Sequence, residues 1–172
     1  MAKVVNMTVM CNMTCKFNLC ELRELGFKYD PTRFTAARYR SYSPRYSALV
    51  FSNGKVTLTG ICTRKKAKEA LHHLCNLLAT PAKPVAFTGF TVSNRAGTID
   101  LEQRINLTQL YEVLRGPFCS YETELFPGLF YRSVPHGVTL TFFSTGKVNF
   151  TGIRRSRQIK QAVKLIRFIL QN

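Results

Sequence analysis

The stretch Phe51-Ser-Asn-Gly-Lys-Val-Thr-Leu-Thr-Gly-Ile61 returns 92 positions later as Phe143-Ser-Thr-Gly-Lys-Val-Asn-Phe-Thr-Gly-Ile153, with eight of eleven residues identical. Asn53-Gly54 between alternating apolar residues is among the strongest short hairpin signals a sequence offers. It predicts paired strands over 46–52 and 55–61, and their repeat over 138–144 and 147–153. The offset continues outward in both directions. Phe34 matches Phe126, and Tyr39-Arg40-Ser41 matches Tyr131-Arg132-Ser133. Downstream, Ala67, Ala70, Leu71, Leu74, Leu77 and Leu78 match Ile159, Ala162, Val163, Ile166, Ile169 and Leu170. A duplication of this kind predicts two pseudo-symmetric repeats, 1–86 and 87–172, and a partner that is elongated or itself nearly symmetric.

Each repeat is short for an independent core, so two halves joined through a continuous sheet are expected. The rest of each half reads in the same order. Residues 4–12 form an opening strand, 17–27 carry apolar residues at helical spacing, and 35–41 form a third strand candidate. Thr63 opens a helix of about 15 residues with its apolar stripe at i, i+3, i+4 and i+7. Pro81-Ala82-Lys83-Pro84 links the halves. The second half gives a strand over 85–98, a helix over 100–114, a strand over 128–134, the hairpin, and a helix over 155–170. Helices covering one face of such a sheet leave its other face for a large partner.

The chain carries 25 Lys and Arg against 9 Asp and Glu, a net charge of +16. Residues 1–86 hold 14 against 4 and residues 87–172 hold 11 against 5, so both repeats are basic. Solubility alone asks for a net charge of roughly 2–8 in a small domain. A surplus spread over both repeats fits a polyanion running along the molecule, and favours nucleic acid over an anionic membrane surface. Arg64, Lys65, Lys66 and Lys68 crowd the start of a helix, where they oppose its dipole; that placement suits a partner.

No run of about 20 apolar residues and no signal pattern at the amino terminus are present, so a soluble, intracellular protein is expected. Cys11, Cys15, Cys20, Cys62, Cys75 and Cys119 form no C-x-x-C pair and have no histidine at partner spacing, so buried reduced thiols are expected and no metal. His72-His73 reads as structural or surface. Paired carboxylates, a nucleophile–base arrangement and a phosphate-cradling glycine loop are lacking, so neither catalysis nor a cofactor is expected.

Beyond these residue-level readings, Ser120-Tyr-Glu-Thr-Glu-Leu-Phe-Pro-Gly-Leu129 with Tyr131-Arg132, together with the two hairpin stretches, resembles the conserved core of the TATA-box-binding protein family over nearly the whole chain. The sequence begins on that core, without the long divergent extension of many eukaryotic members, so the bare saddle is expected. The resemblance implies an α+β fold: a curved antiparallel sheet, with four long helices on its convex face, astride the minor groove of promoter DNA. Insertion of phenylalanines and kinking of the duplex are properties of the family, and are not read from composition or spacing.

Position by position, the resemblance implies that Phe34, Phe51, Phe126 and Phe143 are the inserting wedges, with Pro127 beside the third. Asn6, Asn94, Thr59 and Thr151 match the residues at the centre of the groove floor. An asparagine amide donates to adenine N3 or thymine O2, nearly all that an A·T pair offers there. Arg33, Arg40, Arg132, Lys55 and Lys147 match phosphate-contacting positions, which supply affinity and register without reading sequence. Glu122, Glu124 and Leu125 match the surface presented to transcription factor IIB, and the basic helix start at Arg64–Lys68 resembles a region that meets other initiation factors, such as a IIA-like one.

The floor departs from the family. Thr8, Thr57, Ala96 and Asn149 stand where valine is usual, and Thr141 stands where leucine is usual, while Leu49 keeps the apolar residue in the first repeat. The Thr and Asn oxygens can accept a hydrogen bond from the guanine amino group, so better tolerance of G·C pairs is expected than in a typical member. The expected role is a general initiation factor that nucleates assembly of the RNA polymerase machinery, in the nucleus or at a site of viral transcription. It is expected to be a monomer on DNA, with a dimer as the alternative when free. The competing readings are a related platform protein that no longer bends DNA and, since fold alone does not settle function, an enzyme.

Overall fold

The computed structural model describes residues 2–171. In chain order the elements are β1 (Ala2–Met13), a short 3-10 helix (Glu21–Leu25), β2 (Ala36–Tyr42), β3 (Arg45–Phe51), β4 (Lys55–Ile61), α1 (Arg64–Leu78), β5 (Phe87–Asp100), α2 (Leu107–Leu114), β6 (Cys119–Ser120), β7 (Leu129–Ser133), β8 (Val138–Phe142), β9 (Lys147–Ile153) and α3 (Arg157–Gln171). They fall into two compact units, one over Asn6–Ser93 and one made of the residues up to Val5 with those from Asn94 onward. β1 and β5 each give one end to each unit. The Asn6–Ser93 unit has strand order β2-β3-β4-β1-β5, and the other has β1-β5-β9-β8-β7-β6.

Alternation along the strands decides which face is covered. In the Asn6–Ser93 unit, Met7, Val9, Cys11, Ala48, Val50, Val56 and Leu58 are buried against Ala67, Ala70, Leu71, Leu74 and Leu78 of α1. Their sequence neighbours Thr8, Met10, Leu49, Thr57 and Thr59 point the other way and stay accessible. In the second unit, Leu129, Leu140, Phe142, Val148 and Phe150 are buried with Ala162, Ile166 and Ile169 of α3. β1 contributes Ala2 and Val4 to this second core. Thr63 caps α1, its hydroxyl accepting from the Lys66 N–H at 3.2 Å, so the cationic first turn is held by a cap in spite of the dipole.

Both hairpins form, but three residues rather than two close each turn: Val50 pairs with Val56 and Phe142 with Val148, one residue from the register a two-residue Asn53-Gly54 turn would set, and positive φ falls on the glycine while Asn53 keeps a negative φ. Leu49 pairs with Thr57 and Ser47 with Thr59; Thr141 pairs with Asn149 and Thr139 with Thr151. Gly54 and Gly146 close the turns at φ +87, and their N–H groups donate to Phe51 O and Phe143 O at 3.0 and 2.9 Å. Their carbonyls accept from the Met13 and Leu101 N–H groups, tying each turn to the end of β1 or β5.

Several expectations need correction. Two of the four long helices implied by the resemblance are short. Residues 17–27 give only the 3-10 helix, which Gly26 ends in the left-handed region at φ 84. There the Phe17 N–H bonds Ser52 O, and the Asn18 side chain accepts from the Cys20 N–H in a cap-like bond, so the chain enters its helical turn only after Asn18. The helix expected over 100–114 begins only at Leu107, because Leu101 and Ile105 donate to Gly146 O and Ser144 O and Asn106 is the cap. β5 runs on to Asp100, and the two-residue β6 is additional. Of the cysteines, Cys11 and Cys75 are buried but Cys20 and Cys62 are exposed. Burial, with Cys75 alongside, pushes the Cys11 thiol up to about 12, which keeps it protonated. His73 is structural, its Nδ1 lying 2.8 Å from the hydroxyl of buried Tyr46. No group of three or more metal-ligating side chains occurs among the described residues. No described helix is long and apolar enough to cross a membrane.

Gly146 and Gly137 both have positive φ, but a Cβ on Gly146 would meet the backbone of Gln103, whereas one on Gly137 meets nothing within 4 Å. Gly137→Ala is expected to cost about 1–2 kcal/mol, the price of a left-handed alanine. Gly146→Ala is expected to cost more than that, measured as the shift in urea midpoint for the two variants side by side.

Candidate nucleic-acid interface

Each unit's accessible sheet face carries a row of paired side chains. In the Asn6–Ser93 unit, registers place Arg38, Leu49, Thr57 and Met10 in one row, and Arg40, Ser47 and Thr59 in the next. In the other unit the matching rows are Phe130, Thr141, Asn149 and Thr98, then Arg132, Thr139 and Thr151. Asn6 and Asn94 reach these second rows through their side chains, by bonds to the Gly60 N–H and to Thr151 with the Gly152 N–H. No residue assigned from sequence to the DNA side is buried: Asn6, Thr8, Leu49, Phe51, Thr57, Thr59, Asn94, Ala96, Thr141 and Phe143 are partly accessible, and Arg33, Phe34, Arg40, Lys55, Phe126, Pro127, Arg132, Lys147, Asn149 and Thr151 are exposed.

The two asparagines are oriented by the backbone. β1 and β5 each shift register at a bulge, between Met7 and Val9 and between Arg95 and Gly97. Opposite them, Gly60 and Gly152 adopt φ +83 and +91, and their N–H groups donate to Asn6 Oδ1 and Asn94 Oδ1, both at 2.9 Å. With the oxygen so engaged, each amide is left with its NH₂ as the free end. Asn94 Nδ2 lies 3.3 Å from Thr151 Oγ1 and still has a second hydrogen to give. A pair of fixed donors suits a surface of acceptors.

Each phenylalanine pair is built by the same local bonds. The Phe34 N–H donates to Asp30 O at 3.0 Å, and the Phe126 N–H to Glu122 O at 2.9 Å, so one turn of chain delivers each ring. Asp30 stabilises its turn further, accepting from the Thr32 hydroxyl at 2.7 Å and the Thr32 N–H at 3.0 Å. These bonds hold its carboxyl below the usual range. The second rings, Phe51 and Phe143, sit at the mouths of the Gly54 and Gly146 turns. Ring centroids are 6.4 Å apart for Phe34–Phe51 and 5.9 Å for Phe126–Phe143. Phe34 and Phe126 remain 44% and 37% exposed, unusual for large apolar rings.

The cations are exposed around these rows. Arg33 lies 3.5 Å from Asp30 at a solvated surface, a pairing weak enough to exchange for a phosphate. Arg40 lies over the Tyr42 ring at 5.5 Å. Glu122, Glu124 and Leu125 share one exposed loop, with Leu125 80% accessible. Glu122 also accepts from the Ser120 hydroxyl at 3.3 Å, so it supports its own loop.

Sequence reasoning missed Arg38, Phe130, Met10 and Thr98 on the same faces. Arg38 and Phe130 are mates at the 92-residue offset, but one is a cation and the other an aromatic ring stacked on Phe126 at 4.9 Å. The offset alone would have found them; their chemical difference hid them.

The family model described as transcription factor TFIID (or TATA-binding protein, TBP) matches residues 1–80 and 89–172. The TBP-related factor of Drosophila melanogaster is 34% identical over 98% of this chain and 75% of its own length. TATA-box-binding protein 2 of Entamoeba histolytica is 34% identical over 98% of this chain and 80% of its own. TATA box-binding protein-like 2 of Mus musculus is 34% identical over 97% of this chain, which spans only 48% of that relative. Among solved structures, Methanococcus jannaschii TBP superposes with a TM-score of 0.86 at 27% identity, covering 99% of this chain and 98% of that one. Both repeats match in sequence and the whole chain matches in fold, and the chain therefore belongs to the TATA-binding protein family of transcription factors.

Proposed function

We propose that this protein is a promoter-binding initiation factor that reads A/T-rich DNA through the minor groove, one accessible sheet face per repeat. The observation that carries the proposal is the orientation of Asn6 and Asn94. Glycine N–H groups occupy both carboxamide oxygens, so each repeat offers the floor of the groove an amide donor. The minor groove at A·T pairs presents acceptors only, adenine N3 and thymine O2. Thr59 and Thr151 stand beside these donors.

The phenylalanine pairs serve as wedges. Entering a base step requires a flat apolar ring held away from the protein core, so that it replaces part of the stacking lost on opening the step. Phe34 with Phe51 and Phe126 with Phe143 meet that requirement, and unstacking at the two ends bends the duplex. Arg33, Arg40, Lys55, Arg132 and Lys147 take phosphates on either side. The acidic loop of Glu122, Glu124 and Leu125 then recruits a IIB-like factor, and the cationic start of α1 a IIA-like one, nucleating assembly of the polymerase machinery in the nucleus. Each of the repeats, 1–86 and 87–172, serves half of the site.

A circular-permutation gel shift on a short A/T-rich duplex tests the wedges. The duplex is expected to bend, and Phe126→Ala or Phe143→Ala to reduce the bend while DNA is still retained. A complex that forms without bending would mark the protein as an interaction platform instead.

Binding should also weaken steeply with salt. Five phosphate contacts at about 0.9 counterions each give a slope of about −4.5 in log K against log salt, or about 500-fold between 50 and 200 mM. Neutralising one cation, as in Lys147→Gln, should flatten the slope by about one. A flat response in the unaltered protein would rule out the DNA reading.

On the loop, Glu124→Arg and Leu125→Ala are expected to leave the DNA gel shift intact and to remove the supershift given by a purified IIB-like factor. Retention of the supershift would reassign that loop.

A further inference from the structure

The two sheet faces are built on one frame but carry different chemistry. In the first repeat the central row reads Leu49, Thr57, Met10, with Met10 45% exposed. In the second it reads Thr141, Asn149, Thr98. Two apolar side chains have become two hydroxyls, and a threonine has become an amide. A hollow of about 170 Å³ lies on the accessible face of the second repeat, lined by Val5, Ala96, Thr98, Thr141, Asn149 and Thr151, whereas the first repeat's larger hollow, about 620 Å³, runs along Arg38, Arg40, Ser47, Leu49 and Thr59 and does not reach Thr57 or Met10.

The hollow is organised for accepting hydrogen bonds. Thr98 Oγ1 donates to Asn149 Oδ1 at 2.8 Å, which uses the threonine's hydrogen and leaves lone pairs on both oxygens. The γ-methyl of Thr141 lies 3.0 Å from where a Cβ on Gly128 would stand, on the side of the Phe126 and Phe143 rings. In the minor groove, a G·C pair differs from an A·T pair by one group, the exocyclic amino group of guanine, which carries one hydrogen free of the base pair. Against Leu49 and Met10 that hydrogen loses its water to an apolar side chain, a loss that is costly for a buried donor, and the lone Thr57 hydroxyl stands between the two with no second polar side chain beside it in the row. Against Thr98, Thr141 and Asn149 it finds both space and an acceptor.

We propose that the second repeat is a G·C-tolerant half-site: the hollow between Thr98, Thr141 and Asn149 accepts the exocyclic amino group of guanine, whereas Leu49 and Met10 of the first repeat exclude it. The proposal rests on the minor-groove reading above, and it makes a nearly symmetric protein choose a direction on DNA. A lone G·C pair is tolerated because the protein turns to place it under the second repeat. One G·C pair in each half leaves no acceptable orientation.

Equilibrium gel shifts on five duplexes test this: all A/T, one G·C in one half, one inosine·C at that same place, one G·C in each half, and the doubly substituted duplex with inosine·C in place of one G·C. Inosine lacks the amino group and keeps the rest of the guanine edge. The single-G·C duplex should bind within about three-fold of the all-A/T duplex. The doubly substituted one should bind about ten-fold or more weakly, in the range of one mismatched pair. Inosine in either half should restore binding to the single-G·C level. In Thr141→Leu with Asn149→Val, the ratio of single-inosine·C to single-G·C binding should rise about ten-fold, a comparison made within one variant. Leu49→Thr should do the reverse and rescue the doubly substituted duplex.

Equal losses for a first and a second G·C pair, or an inosine-to-guanine ratio unmoved in Thr141→Leu with Asn149→Val, would overturn the half-site proposal while leaving minor-groove binding intact. Failure to bind the all-A/T duplex would instead overturn the minor-groove reading, and the half-site with it.

Discussion

Strand register at the Gly54 and Gly146 hairpins is the constraint on which both faces of each sheet depend. Side chains alternate along a strand, so a slip of one residue would carry Val56 and Leu58, or Val148 and Phe150, out of the core and bring Thr57 or Asn149 into it. Four backbone bonds prevent the slip. Each turn glycine donates to the phenylalanine three residues before it and accepts from the end of β1 or β5. The positive φ that permits this is open to glycine and strained for residues bearing a Cβ. The same turn therefore closes the hairpin, positions Phe51 or Phe143 at its mouth, and fixes which residues face outward.

A second constraint acts further along the same strands. At the bulges of β1 and β5, the register shift frees the N–H of Gly60 and Gly152 from the ladder, and the Asn6 and Asn94 oxygens take them up. The asparagine satisfies the bulge while the bulge orients the asparagine. The bond that completes the backbone is thus the one that aims the amide outward. Replacing either asparagine with an apolar residue removes the amide donor and also leaves a backbone N–H with nothing but water to meet.

What the sequence made legible follows from where information is local. The strands 55–61 and 147–153 are found at their expected limits, and α1 and α3 lie within two residues of theirs, because turn chemistry and apolar periodicity act over a few residues. The family was legible for a different reason, a run of matched residues around Glu122–Leu129 that no periodicity explains. The short helices were misjudged because residues 17–27 and 100–106 have helical spacing of apolar side chains, while their N–H groups are bound by Ser52, Ser144 and Gly146 far away in sequence. Those bonds are tertiary and have no local signature. Arg38 and Phe130 carry no such signal, because likeness between the repeats marks the other positions and here one repeat has a cation and the other an aromatic ring.

Duplication explains why such differences persist. Core residues in each repeat must satisfy packing, so Val56 and Val148, or Leu58 and Phe150, remain large and apolar. The outward residues between them carry no such demand: Leu49 and Thr141, or Met10 and Thr98, occupy the same frame without disturbing it. Thr98 and Asn149 even bond each other across the strands, so the polar floor is satisfied in the free protein and carries little folding penalty. Drift on that face therefore costs little in stability and is felt mainly in what the face touches. With the phenylalanine pairs, the pinned asparagines and the Arg40–Arg132 and Lys55–Lys147 pairs present in both halves, the floor is where the proposed half-sites diverge, so on the proposed reading such drift would shift the preferred sequence and its direction and leave the grip on the duplex alone.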